Sequence, residues 1–148
     1  LSKGPVTRSR TRRGMHGNVS EWLSAVDGLP DVHARLKKVF IKNMPAVESI
    51  RREVPAGEAI FAVPSNAELY FMTGRRNPFR FYNTALGVRS DEDLALVERT
   101  LRDDPPRLVT FNRDDKYNTP RSLRIMEMVK ARYSVLGGFD SFEVYVRR

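Results

Sequence analysis

The run Ala59-Ile60-Phe61-Ala62-Val63 constrains this chain more than any other feature. It is apolar at every position and bounded by Gly57 and Pro64. A half-wet strand alternates polar and apolar residues. An unbroken apolar strand is buried on both faces and needs a covering layer on each side. The flanking sequence has the helical periodicity to supply those layers. Val32, Leu36, Val39, Phe40 and Met44 recur at steps of three and four, with Asp31 placed to cap the helix they predict. Pro45 interrupts this pattern because it lacks an N–H and crowds the preceding turn, so we expect a break there. A second helix should then run to about Glu53, burying Val47, Ile50 and Val54 and ending at Pro55-Ala56-Gly57.

Beyond the strand, Ser65 and Glu68 have the spacing of a capping box and open a helix over 66–73. Leu69, Tyr70 and Met72 supply its buried side, and Gly74 ends it in the left-handed conformation that glycine tolerates. Residues 75–89 show no period, and such a stretch inside a domain is often functional. Ser90 caps the next helix. Asp91, Glu92 and Asp93 stand in its first turn and Arg99 and Arg102 near its end, matching the helix dipole. Its stripe is Leu94, Val97 and Leu101, and Asp103-Asp104-Pro105-Pro106 stops it.

Residues 108–111 predict a second buried strand, followed by a loop over 112–118. Thr119-Pro120 reads as N-cap and first-turn proline of a helix to about Arg132, with Leu123, Met126 and Val129 inward. Two strands, 133–136 and 142–146, should turn around Gly137-Gly138. In the second, Phe142, Val144 and Val146 alternate with Glu143, Tyr145 and Arg147, which predicts one buried and one wet face at a sheet edge. This order implies an α/β fold: a small layered sheet, parallel strands with helical crossovers, and a C-terminal antiparallel hairpin. The 148 residues suit one domain over 31–148, preceded by a basic arm and linker over 1–30 in which Trp22 could anchor a short helix.

Lys3, Arg8, Arg10, Arg12 and Arg13 stand in the first fourteen residues with no acid, so five of the eight net positive charges lie there. Such an arm can pair with phosphates of nucleic acid or lipid, or remain a solvated tail. No apolar run approaches the roughly 20 residues of a membrane-spanning helix. The first fourteen residues lack the apolar segment of a signal peptide, and a start at Leu1 is expected of a chain processed or cut from something longer. There is no cysteine, and the two histidines are His16 and His33, so neither thiol chemistry nor a metal site is expected. Phosphate-loop, dinucleotide, zinc-protease and serine-hydrolase motifs are all absent, and no cofactor is expected.

Two loops follow the carboxyl ends of the two predicted parallel strands, where α/β sheets place ligand sites. One carries Ser65 and Asn66, the other Asp114 and Asp115, and they are placed to share a crevice. The plainer reading is two ordinary turns. In the patternless stretch, Arg75, Arg76, Asn77, Arg80 and Tyr82 interleave with Phe79 and Phe81. Cations among aromatics can stack on bases or sugars and pair with phosphates. The plainer alternative has the aromatics pinning the loop while the arginines stay in water.

Several segments resemble the soluble C-terminal region of polytopic bacterial glycosyltransferases of the dolichyl-phosphate-mannose-protein mannosyltransferase-like group. They are Pro55-Ala56-Gly57-Glu58-Ala59-Ile60-Phe61-Ala62-Val63-Pro64, then Leu69-Tyr70-Phe71-Met72-Thr73-Gly74-Arg75-Arg76-Asn77-Pro78, then Pro106-Arg107-Leu108-Val109, and finally Glu143-Val144-Tyr145-Val146-Arg147-Arg148. The likeness covers roughly 45–148. It implies a domain on the periplasmic or extracytoplasmic face of a membrane, in a protein that transfers sugar from a polyprenyl-phosphate donor. The catalytic acid of that group lies in its membrane portion, so the resemblance assigns no catalytic residue here. The implied partners are the membrane portion of the same protein, the polyprenyl-phosphate sugar and an acceptor glycan or protein. Two readings from other classes stand beside it. One is a small soluble, cytoplasmic nucleic-acid-binding module acting through residues 3–13. The other is a small soluble α/β enzyme with its site at Ser65, Asn66, Asp114 and Asp115.

Overall fold

In a computed structural model of the chain, residues 32–139 and 141–148 are described. The basic arm and linker, the expected helix around Trp22 and the expected cap at Asp31 lie outside the described residues. Helix α1 (Val32–Glu53) leads into strand β1 (Ile60–Val63). Helix α2 (Ala67–Thr73), the one-turn α3 (Thr84–Gly87) and α4 (Asp91–Asp103) connect β1 to β2 (Leu108–Asn112). Helix α5 (Pro120–Arg132) runs directly into β3 (Tyr133–Phe139), and β4 (Phe142–Arg147) returns beside it.

The sheet order is β1-β2-β4-β3. β1 and β2 are parallel, from Ile60 opposite Leu108 to Val63 opposite Phe111. β4 is antiparallel to both β2 and β3. The fold is therefore α/β, with one parallel pair joined by a helical crossover and a C-terminal antiparallel hairpin.

Every residue of β1 and of β2 is buried, because helices cover both sheet faces. On one face Ile60, Ala62, Leu108 and Val144 meet Val47, Ile50 and Val54 of α1 and Leu69 and Met72 of α2. On the other, Phe61, Val63, Val109 and Tyr145 meet Val97 and Leu101 of α4 and Ile125, Met126 and Val129 of α5. Fully burying one such aliphatic side chain stabilises by about 1.5–3 kcal/mol. Tyr145 corrects the expected wet face of the last strand. It is 2% exposed, since β4 is an interior strand and α5 packs over its second side. β3 is the edge strand instead. It continues through Gly137-Gly138 to Phe139, with a register shift between Val135 and Gly137. In α5 the expected inward Leu123 is 53% exposed, and Ile125 takes the core position.

Helix α1 passes through Pro45 without ending. The proline leaves the carbonyl of Ile41 without its usual donor. Ile41 is 56% exposed, so that carbonyl belongs to the solvent side of the helix, while Asn43, Ala46 and Val47 hold the other side against the body. Two expected capping boxes form. Ser90 and Asp93 exchange bonds of 3.1 and 3.0 Å, and Thr119 and Ser122 exchange bonds of 3.2 and 2.7 Å. Gly74 takes φ 66° and donates to Tyr70 O. The Ser65–Glu68 box does not form; Asn66 is the N-cap of α2 and makes no side-chain cap bond.

The patternless stretch after Gly74 sheathes the outer edge of β1. Arg76 bridges alongside Ala59: its N–H donates to Glu58 O at 3.0 Å, and its carbonyl accepts from Ile60 N at 3.0 Å. Thr84 N donates to Pro64 O at 2.8 Å. Between them, Ala62 N donates to the Tyr70 hydroxyl at 2.9 Å. Pro64 has no N–H to satisfy, so every outward donor from Ile60 to Pro64 is accounted for. Asn77 braces the stretch, accepting from Phe79 N at 3.0 Å and donating to Phe81 O at 2.7 Å.

Candidate functional site

The two loops at the carboxyl ends of β1 and β2 meet. Ser65 Oγ donates to Asp115 Oδ2 at 2.7 Å. The Val63–Pro64 peptide just before Ser65 is cis. Asp115 is held by its other oxygen, which accepts from Tyr117 N at 2.8 Å. Asn118 Nδ2 donates to Asn112 O at 3.0 Å and to Arg113 O at 2.9 Å, closing the second loop on itself. The expected crevice pair is thus one hydrogen-bonded contact.

A second polar group lies behind it. Asn66, 6% exposed, donates to Glu68 Oε1 at 2.9 Å, and Asn43 of α1, 2% exposed, donates to the same oxygen at 3.2 Å. This tertiary use of Glu68, with Asp115 taking Ser65, is why the local capping box fails. Asn43 Oδ1, Asn66 Oδ1 and Thr84 Oγ1 are buried with no hydrogen-bond partner among the described residues. Such groups are uncommon, and each costs roughly 1–3 kcal/mol. Asn43, Glu68, Thr84, Asn112 and Asn118 were not singled out from the sequence. Only Asn43 carried a signal, as a polar residue within the buried stripe between Phe40 and Val47.

The other sequence-derived candidates are dispersed. Asp114 is exposed, its N–H bonded to Asn112 Oδ1 at 3.2 Å. Tyr82 stands near the carboxyl end, edge-on to Tyr70 at 5.7 Å. That neighbour, after burial, helps raise the Tyr70 phenol above its usual range. Asn77 is a loop brace. Arg80 is exposed and lines a cleft of about 450 Å³ with Phe79, Phe81, Asp93 and Leu96. The aromatics pin this loop: Phe79 packs on Phe61 at 4.6 Å and stacks on Phe81 at 5.1 Å.

Arg75 and Arg76 lie at the opposite end, where α1, α2, α4 and α5 all terminate. Helix ends present carbonyls without intrahelical donors and a negative dipole end. Arginines answer both. Arg75 donates to Val54 O and Thr73 O, Arg51 to Met72 O at 3.1 Å, and Arg107 to Glu53 O at 3.1 Å. Burial, then the nearby Arg51 charge, lowers the Arg75 pKa. The guanidinium read from sequence as a phosphate contact is committed to helix ends.

The carboxyl-end group offers hydroxyl, amide and carboxylate functions suited to hydrogen-bonding a polar ligand such as a sugar. Ser65 has a carboxylate partner and no imidazole. Among the described residues, no three His, Cys, Asp or Glu side chains gather to hold a metal ion, and no helix is long and apolar enough to cross a membrane. Comparison with protein-family models, curated proteins and solved structures finds no match for this chain.

Proposed function

We propose that this chain is the extracytoplasmic, non-catalytic domain of a membrane glycosyltransferase that uses a polyprenyl-phosphate sugar donor. Its role is to assist donor or acceptor binding from the carboxyl end of the sheet. One observation carries the reading. The two main segments of the resemblance, 55–64 and 69–78, close on each other through the Glu58–Arg76–Ile60 bonds of 3.0 Å. They form one strand–helix–edge unit, and a pattern spread over both then has a single structural cause. The same unit ends at Ser65, Asn66 and Thr84, the polar groups assigned to the sugar.

Two measurements test the reading. The reading frame upstream of Leu1 should encode membrane helices; a start codon or a soluble domain there ends the proposal. In membranes holding the intact protein, Ser65→Ala with Asp115→Asn should lower transfer from a labelled polyprenyl-phosphate sugar while the amount of folded protein is unchanged. Undiminished transfer would remove this end of the sheet from the function.

A further inference from the structure

Helix α1 is longer than the layer it covers. Its 22 residues span about 33 Å at 1.5 Å per residue. β1 and β2 have four and five residues, about 13–17 Å of strand. Continuous burial begins only near Asn43, which α1 bonds through Glu68 to the start of α2. The preceding turns overhang the carboxyl end of the sheet. There Leu36 is 41% exposed, Val39 40% and Ile41 56%. Helical spacing puts Leu36 and Val39 on the core-facing stripe and Ile41 on the other side. Arg35, Lys37, Lys38 and Lys42 stand among them, with no acid between Val32 and Val47.

Exposed apolar side chains on two sides of one projecting helix, interspersed with cations, fit neither water nor a single protein groove. They fit the boundary between headgroups and acyl chains of an anionic bilayer. We propose that residues 34–42 of α1 are immersed in the headgroup layer of an anionic membrane. Leu36, Val39 and Ile41 reach the acyl boundary and the cations meet lipid phosphates. This turns the Ser65–Asp115 end of the sheet toward the bilayer. The contact goes beyond the proposed function and is read without any sugar transfer, so either can fail alone.

The test uses the full chain and vesicles of phosphatidylglycerol with phosphatidylcholine, or of phosphatidylcholine alone. The chain has no cysteine, so Leu36→Cys accepts a single environment-sensitive fluorophore. Its emission should shift to the blue on phosphatidylglycerol vesicles only, and less at high salt. Replacing Arg35, Lys38 and Lys42 with Ser should weaken sedimentation with those vesicles roughly a hundredfold. Replacing Leu36, Val39 and Ile41 with Ser should weaken it about tenfold or more. Replacing Arg8, Arg10, Arg12 and Arg13 with Ser should leave the blue shift in place. An unshifted label on phosphatidylglycerol vesicles would overturn the proposal. So would binding lost with the arm and kept in both α1 variants, or a label that responds to a nucleic-acid duplex and to no vesicle.

Discussion

The guanidinium of Arg75 grips the carbonyl of Val54 with two nitrogens, Nε at 3.0 Å and Nη2 at 2.5 Å. It ties the loop after α2 to the residue just past α1. Hydrogen bonds to a charged group contribute about 1.5–3 kcal/mol. Arg75→Ala should cost that much in urea unfolding. Arg75→Lys should cost nearly as much, because an ammonium cannot reproduce the planar fork. Unchanged midpoints would show that the grip is not stabilising.

Tyr70 should behave as part of the sheet. Tyr70→Phe keeps the ring and leaves Ala62 N, in a residue 2% exposed, without its acceptor. The expected loss is about 1–3 kcal/mol, with faster hydrogen exchange at the Ala62 amide. An Ala62 amide as protected as before would contradict the edge assignment.

A methyl group at Gly87 has no room. Its Cβ would lie 2.2 Å from Phe81 Cγ and 2.4 Å from Phe81 Cβ, near the root of that side chain. Gly87→Ala should destabilise by about 1–3 kcal/mol through overpacking. The penalty should vanish when Phe81 is already Ala, which a double-mutant cycle measures.

Arg76 and Arg80 should separate stability from function. Both are exposed, and Arg76 serves β1 through its backbone. Replacing both side chains with Ala should leave unfolding free energy within about 1 kcal/mol. In the intact membrane protein the same change should reduce sugar transfer. Large destabilisation with transfer preserved per folded molecule would make these side chains structural.

Asp93 should shape the acid limb of stability. Its carboxylate accepts from Arg89 N at 2.9 Å and from Ser90 N at 3.0 Å, and these bonds hold its pKa below the usual range. The folded value being the lower one, the stabilisation is full above the unfolded pKa near 3.9 and is lost as pH falls through the folded value. Asp93→Asn should flatten that limb below about pH 4. An identical slope in the variant would refute the linkage.

What could be read ahead of the fold depended on how far apart partners stand. Ser90 with Asp93, and Thr119 with Ser122, are three residues apart, and both boxes were visible. Ser65 and Glu68 have the same spacing but find Asp115 and Asn43 across the fold, so the local pattern misled. The double burial of β1 was legible because its apolar run left no wet face. That of Tyr145 was not, because β4 alternates in sequence and only its place between β2 and β3 buries both sides. The 75–89 stretch has no period because its task is to follow an edge. The meeting of Ser65 with Asp115 followed from strand order, whereas the turn of Arg75 and Arg51 toward helix carbonyls needed the helix ends in place.

The closing of β1 by Arg76, Tyr70 and Thr84 has a consequence for many copies side by side. An open edge of free N–H and C=O groups is a template on which another chain can zip into a shared sheet, and from there into aggregates. On β1 no outward donor from Ile60 to Pro64 is left to start that growth. On β3 the shift between Val135 and Gly137 breaks the straight register that a recruited strand would need. Molecules crowded in two dimensions would collide edge to edge and part again.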